Sequence, residues 1–415
     1  MRATKESGFE WLGIVPENWV VSRIGSCAIE RRETVSDTDF QPLSVTKKGV
    51  VPRLESAAKS DNSEGRKLIR EGDFVINSRS DRKGSSGVSA MDGSCSVIYI
   101  VLKLLNLAPE YAHHLFRSKP FQEEFYKWGS GIVEDLWSTR YSAMKQIAVP
   151  VPPLAEQQAI AGFLDREIAQ IDKLIAKQEQ LITTLGERRE EVVSRLSTQG
   201  IGGQSDLVES GIDWLPKIPS NWAPDKMSRI FKPKKGSNAA MLTAEYCGTV
   251  EGEYPVYSGQ TSNDGVVASI ESYEFESPDD GFIFTTTVGA RAMSVSKIYG
   301  RFSLSQNCMI LENKAVSRIC TDFARWQLET MFSRKKSEVS SHMQPSFTMA
   351  DLREYWMAIP SLAEQLEIVR LISSEVLGVE QLVKKSLKIV ETLCERRQSL
   401  ISAAVTGKID LFRGA

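Results

Sequence analysis

The chain has 415 residues, with 51 Lys and Arg against 53 Asp and Glu, and is 41% hydrophobic and 8% aromatic. That balance excludes disordered and collagen-like polymers and fits two or three globular units. A formal net charge of −2 excludes a surface coated in positive charge, so nucleic-acid contact has to come from local basic patches or from a partner.

No run of 18 apolar residues occurs, and the first residues, MRATKESGFEWLG, lack the charged-then-apolar pattern of an export signal. A cytoplasmic protein without membrane contact is expected. The six cysteines lie far apart, Cys308 and Cys320 being the nearest pair, and there are only three histidines. Neither a disulfide framework nor a metal site is readable from that spacing.

In chain order, the first feature is SGFEWLGIVPENW at residues 7–19. It returns at an offset of 203 as SGIDWLPKIPSNW at residues 210–222, with seven of thirteen positions identical. Its paired tryptophans predict an aromatic brace in the core of whatever follows. Residues 20–145 form a first insert. DFVINSRS and CSVIYIVLKLL predict strands there, and PEYAHHLFRSKPFQEEFYKW predicts a helix with an inserted proline. Between them, NSRSDRKGSSG at residues 77–87 sets Arg79, Arg82 and Lys83 among Ser and Gly. Such backbones let a phosphate approach while guanidinium groups reach base edges. Arg140 is a further candidate in this insert.

The proline-rich VPVPP at residues 149–153 leads into Leu154, Ala155, Glu156 and Gln157, which recur at an offset of 208 as Leu362, Ala363, Glu364 and Gln365. Each tetrad opens a long helix, the first predicted over residues 155–197. A 4-3 spacing phases its seam as Leu164, Ile168, Ile171, Ile175, Gln178, Ile182, Leu185, Arg189, Val192 and Leu196. The second seam is Ile372, Val376, Val379, Val383, Ser386, Val390, Leu393, Arg397, Leu400 and Ala404, so the polar interruptions fall at matching places. About 43 residues at ~1.5 Å rise make roughly 65 Å of helix. The connection to Ser210 is too short to return along that distance, even at about 3.5 Å per residue. Two antiparallel helices with one insert at each end, related by a pseudo-two-fold axis, are therefore expected. Glu-Arg-Arg triplets carry Arg188 and Arg189 in the first helix and Arg396 and Arg397 in the second. A seam arginine needs a carboxylate, solvent or a partner subunit.

The second insert differs from the first. YPVYSGQ, GFIFTTTV, AMSVSKIY and NCMILEN predict strands, followed by a helix around SRICTDFARWQLETMFSR. Its polar loops, YSGQTSN, TTTVGAR and SQN, together with RKK at residues 334–336, offer Gln260, Asn263, Arg291, Gln306 and Asn307. Asn, Gln and Arg are the side chains that make bidentate base contacts, although each loop taken alone also reads as a solvated turn. Catalytic signatures are missing. No phosphate-binding loop occurs, Gly407-Lys408 being followed by Ile409, and there is no dinucleotide fingerprint and no Asn-Pro-Pro-aromatic methyltransferase motif. His113 and His114 face different sides of a helix, and Glu124 and Lys127 belong to a solvated helical face.

The doubled W-L…P-x-N-W motif, the doubled L-A-E-Q helix start and the doubled E-R-R, followed by ISAAVTGKI at residues 401–409, span nearly the whole chain. In this combination the chain resembles the specificity subunit of type I restriction–modification enzymes. The first half departs slightly, reading VSRLSTQGI at residues 193–201. The resemblance implies an α+β fold with two α/β target-recognition domains separated by two long helices that form an antiparallel coiled coil. The domains would be residues 1–153 and 201–361, and the spacer helices residues 154–200 and 362–415. Each domain would read one half of a split double-stranded DNA target. Two modification subunits would dock on the shared frame at Leu154, Glu156, Gln157, Arg188, Arg189, Leu362, Glu364, Gln365, Arg396 and Arg397. This chain would have no active site and bind no cofactor. S-adenosylmethionine would belong to the modification subunits, and ATP and Mg to restriction subunits. The competing reading is a coiled-coil scaffold that presents two protein-binding modules without DNA.

Overall fold

The computed structural model describes residues 2–53, 65–131, 137–202, 206–260, 263–289, 291–339 and 343–411. They fall into two units, one built from residues 1–179 with 387–415 and the other from residues 180–386. Among the described residues no helix is long and apolar enough to cross a membrane.

In the first unit an antiparallel sheet runs in the order Ser86–Val88, Phe74–Asn77, Tyr99–Leu104, Ala28–Glu30. Phe74–Asn77 is buried at all four positions because it is covered on both faces. A second sheet runs Gly93–Cys95, Arg66–Ile69, Thr34–Val35. The stretch CSVIYIVLKLL is thus two strands, divided by a turn in which Tyr99 N donates to Ser96 O. The predicted single helix is likewise two, Pro109–Arg117 and Lys119–Lys127. Pro120 has no N–H to continue the first helix, so the chain turns extended at Ser118, whose hydroxyl caps the second helix. Both helices pack aromatic rings into the core, with Phe116 4.8 Å from Phe74 and from Phe121.

The second unit repeats the plan with different strands. One sheet runs Phe231–Lys234, Cys308–Asn313, Phe282–Thr286, Val295–Ile298, and another Val266–Ile270, Tyr254–Tyr257, Arg301–Leu304, Phe275–Glu276. Helix Thr321–Glu338 lies against this core through Phe323, Trp326, Leu328, Met331 and Phe332.

The long helices are Leu154–Gln199 and Leu362–Val405, each slightly longer than its periodic stretch in the sequence. In the first unit Ile160 and Leu164 share a cluster with Ile401, Ala404 and Val405, so the start of one helix meets the end of the other. In the second unit Val193 and Leu196 cluster with Ile368, Ile372 and Val376, again antiparallel. None of the twenty phased seam positions is exposed. Each helix ends at a glycine in the left-handed region, Gly200 at φ +69° and Gly407 at φ +74°.

Candidate nucleic-acid interface and the frame behind it

The repeated motifs are the frame that seats each insert. Glu156, at the start of the first long helix, accepts from Trp19 Nε1 at 2.7 Å, Asn18 Nδ2 at 2.6 Å and Arg2 at 2.6 Å. Burial raises its pKa, but these three donors outweigh it and hold the carboxyl below its ordinary value. Glu364 repeats the arrangement with Trp222 Nε1 at 3.1 Å and Asn221 Nδ2 at 3.0 Å. Next to it, Gln157 is buried, accepting from Ala108 N at 2.7 Å and donating to the carbonyls of Asn106 and Pro152. Gln365 does the same with Cys320 N, Arg318 O and Pro360 O.

Glu156, Gln157, Glu364 and Gln365, expected on the frame that docks modification subunits, bond within the chain. Their polar atoms are consumed inside the chain, and the two glutamines are inaccessible. Leu154 and Leu362 are exposed beside them. Arg188 lies 3.8 Å from Glu375, and Arg396 is exposed. Arg397 donates to Asp172 at 2.5 Å, whereas Arg189 donates to Glu329 at 2.7 Å, so the matched seam arginines find unlike partners.

In the first unit Arg79 and Arg82 lie in the turn between Phe74–Asn77 and Ser86–Val88, on the rim of a cleft of about 800 Å³. Arg79, Arg82 and Lys83 are all exposed, and Lys83 sits 5.5 Å from the Tyr126 ring centre. Arg79 bridges Ser138, and Thr139 N donates to Ser78 O, which brings the exposed Arg140 alongside the same turn. The cleft also gathers Lys47, Arg53, Arg66 and Tyr99, which sequence reasoning missed. Two signals pointed to them: a basic tip on the hairpin Leu43–Thr46 to Gly49–Pro52, and an arginine at a buried position of the strand Arg66–Ile69, ahead of Leu68 and Ile69. Burial raises the Tyr99 phenol pKa, while Arg82 and Arg66 oppose that shift.

In the second unit the polar loops converge because their strands end together. Tyr254–Tyr257 and Arg301–Leu304 are parallel, with Tyr257 opposite Leu304, while Thr286 at the end of its strand pairs with Cys308 at the start of the next. Arg291 donates to Gln260 O at 2.7 Å, and Thr287 N donates to Asn307 O at 2.7 Å, tying the three loops together. The Gln260 and Asn263 amides both donate to Val266 O. Gln306 and Asn307 project into solvent. Arg334 lies on helix Thr321–Glu338 and donates to Trp214 O, whereas Lys336 feels the loop: burial and the nearby Arg291 lower its pKa. The four described non-glycine residues with positive φ, Asn263, Asp264, Met293 and Asn307, all belong to these loops. Such backbone concentrates where a ligand is met.

His113 and His114 engage different partners, His113 with Val88 N and Arg117 and His114 with Asp165. Burial, Arg117 and His114 push His113 down to about 4, and His114 is bonded to Asp165 at 2.8 Å. Among the described residues no group of His, Cys, Asp and Glu is placed to hold a metal ion.

The fold and these sites define a duplicated, two-module protein whose unlike modules are seated on identical helix starts. The family profile described as "Type I restriction modification DNA specificity domain" matches residues 16–184 and 219–388. The chain belongs to that family and carries its domain twice. It is 32% identical over 127 residues to the putative type I specificity subunit S.MpnORF285P of Mycoplasma pneumoniae, covering 31% of this chain and 40% of that one. It is 30% identical over 225 residues to S.MpnORF201P of the same organism, covering 54% and 81%. The type I restriction enzyme EcoBI specificity subunit of Escherichia coli is 21% identical over 294 residues, covering 64% and 59%. The chain thus spans less than two thirds of some of these relatives. In fold it resembles a chain from a study of complex assembly and conformational transition of the type I R-M system, at TM-score 0.70, 16% identity and coverage of 95% and 99%. It also resembles the HsdS subunit from Thermoanaerobacter tengcongensis, at TM-score 0.50, 14% identity and coverage of 95% and 98%.

Proposed function

We propose that this chain is the DNA-reading subunit of a type I restriction–modification complex. Each module reads one half of a bipartite duplex target, and the long helices set the gap between the halves. The observation that carries this reading is the pairing of one repeated frame with two different inserts, each gathering Arg, Asn or Gln at a cleft or loop cluster. Two protein-binding modules would not need that chemistry twice. Methyl transfer from S-adenosylmethionine is the work of two modification subunits, and ATP- and Mg-dependent steps are that of restriction subunits; the chain itself has no catalytic role. Docking of the modification subunits is supported by leucines of the long helices that point away from the seam, Leu174, Leu181, Leu377, Leu382 and Leu387, all exposed.

The test is methylation mapping in cells that carry this chain with its modification subunit. One bipartite motif with a fixed gap is expected. An unmethylated genome despite an assembled, folded complex would favour the scaffold reading.

A further inference from the structure

Arg66 opens the strand Arg66–Ile69 and is only 6% exposed, an unusual setting for a guanidinium. Its Nε donates to Ser94 Oγ at 3.0 Å and an Nη reaches Ser94 O at 3.4 Å. Ser94 Oγ in turn donates to Phe40 O at 3.0 Å. Among the described residues its side chain bonds only to neutral acceptors. Among the described residues, Glu30 is engaged with Lys67 and Arg32, and Asp73 with Arg31. Among the described residues the cleft it lines also carries Lys47, Arg79 and Arg82, against one carboxylate, Asp81, which sits 3.5 Å from Arg82.

A charge withdrawn from water without a counter-ion is unfavourable, and surrounding it with like charges makes it more so. An anion in the cleft reverses both effects. Base edges carry no net charge, so they do not offset such crowding, whereas a phosphodiester does, and the guanidinium fork matches its oxygens. We propose that Arg66 is a fixed anchor for a backbone phosphate of duplex DNA seated in this cleft. The proposal rests on the DNA-reading function above and adds the contact that sets the first module's register on the duplex without reading sequence.

The experiment measures binding of the full chain, in complex with its modification subunits, to a duplex carrying the methylated motif and to a randomised duplex, over a series of salt concentrations. Arg66→Gln should weaken both duplexes alike, by about tenfold, and lower the slope of log K against log salt by about one. Arg66→Lys should keep the slope and recover part of the affinity. A methylphosphonate scan of the wild-type duplex should find one position whose neutralisation weakens the wild type but not Arg66→Gln, and this arm holds even if one variant folds poorly. An unchanged slope in a folded Arg66→Gln complex overturns the proposal, as does a loss confined to one base pair, which would mark a base contact. A wild-type complex that binds no duplex overturns the DNA-reading function itself, a result distinct from a variant-specific failure.

Discussion

At the scale of single residues, the repeated glutamates tie each entry motif to a helix start. The depressed pKa of Glu156 makes its contribution pH-dependent with a definite sign. The carboxylate stabilises the fold fully above the unfolded-state pKa of about 4.3 and loses that effect as pH falls through its lower folded value. Glu156→Gln should therefore cost about 1.5–3 kcal/mol at neutral pH, in line with charged hydrogen bonds, and flatten the acid limb of stability. Urea unfolding at several pH values reads both effects. Gly407 gives a second case. At φ +74°, an added Cβ would lie 2.3 Å from Pro16 Cδ and 3.1 Å from Trp19 Cη2. Gly407→Ala should destabilise by more than about 1 kcal/mol, since backbone strain and overlap add, and a drop in the urea midpoint checks it. The importance of Glu156 and Gln157 was legible in the sequence because they occur twice. Their direction was not, since repetition marks a shared frame without saying whether a side chain turns inward or outward.

Among the elements, the long helices were the most legible, because a 4-3 apolar stripe is a local property of the sequence. The matched polar interruptions were legible as well, but their partners were not. Asp172 and Glu329 lie far away in sequence from Arg397 and Arg189, and no periodicity links them. The break at Ser118 and the split of CSVIYIVLKLL were hidden for the opposite reason. Local propensity favours continuity there, and only the sheet each strand joins decides where it stops. The spacer reading yields an element-scale prediction. Deleting one heptad from each helix, residues 168–174 and 376–382, removes ~10 Å of stalk, about three base pairs at ~3.4 Å each. The gap in the methylated motif should shrink while both half-sites stay the same, and sequencing of the modified motif reads it directly.

Over the whole molecule, the two modules differ in chemistry. One presents a strongly basic cleft, the other a cluster of loops rich in uncharged amides and hydroxyls. Of the proposed contacts in the second module, Gln306 is exposed. Gln306→Ala should relax one half of the motif by ~1–3 kcal/mol in discrimination and leave the other half intact, as methylation mapping would report. The basic cleft was only partly legible because Lys47, Arg66 and Tyr99 reach it from three different sheets, which only the folded unit brings together. The frame glutamines explain how one scaffold carries such different heads. Among the described residues, Gln157 hydrogen-bonds the insert at Asn106 O and Ala108 N, and Gln365 at Arg318 O and Cys320 N, all main-chain atoms. A socket that grips peptide groups is indifferent to the side chains of whatever is plugged into it. Any head whose chain makes the same turn ahead of the helix can be seated, so under the proposed DNA-reading function exchanging the head would change the target while the grip stays as it is.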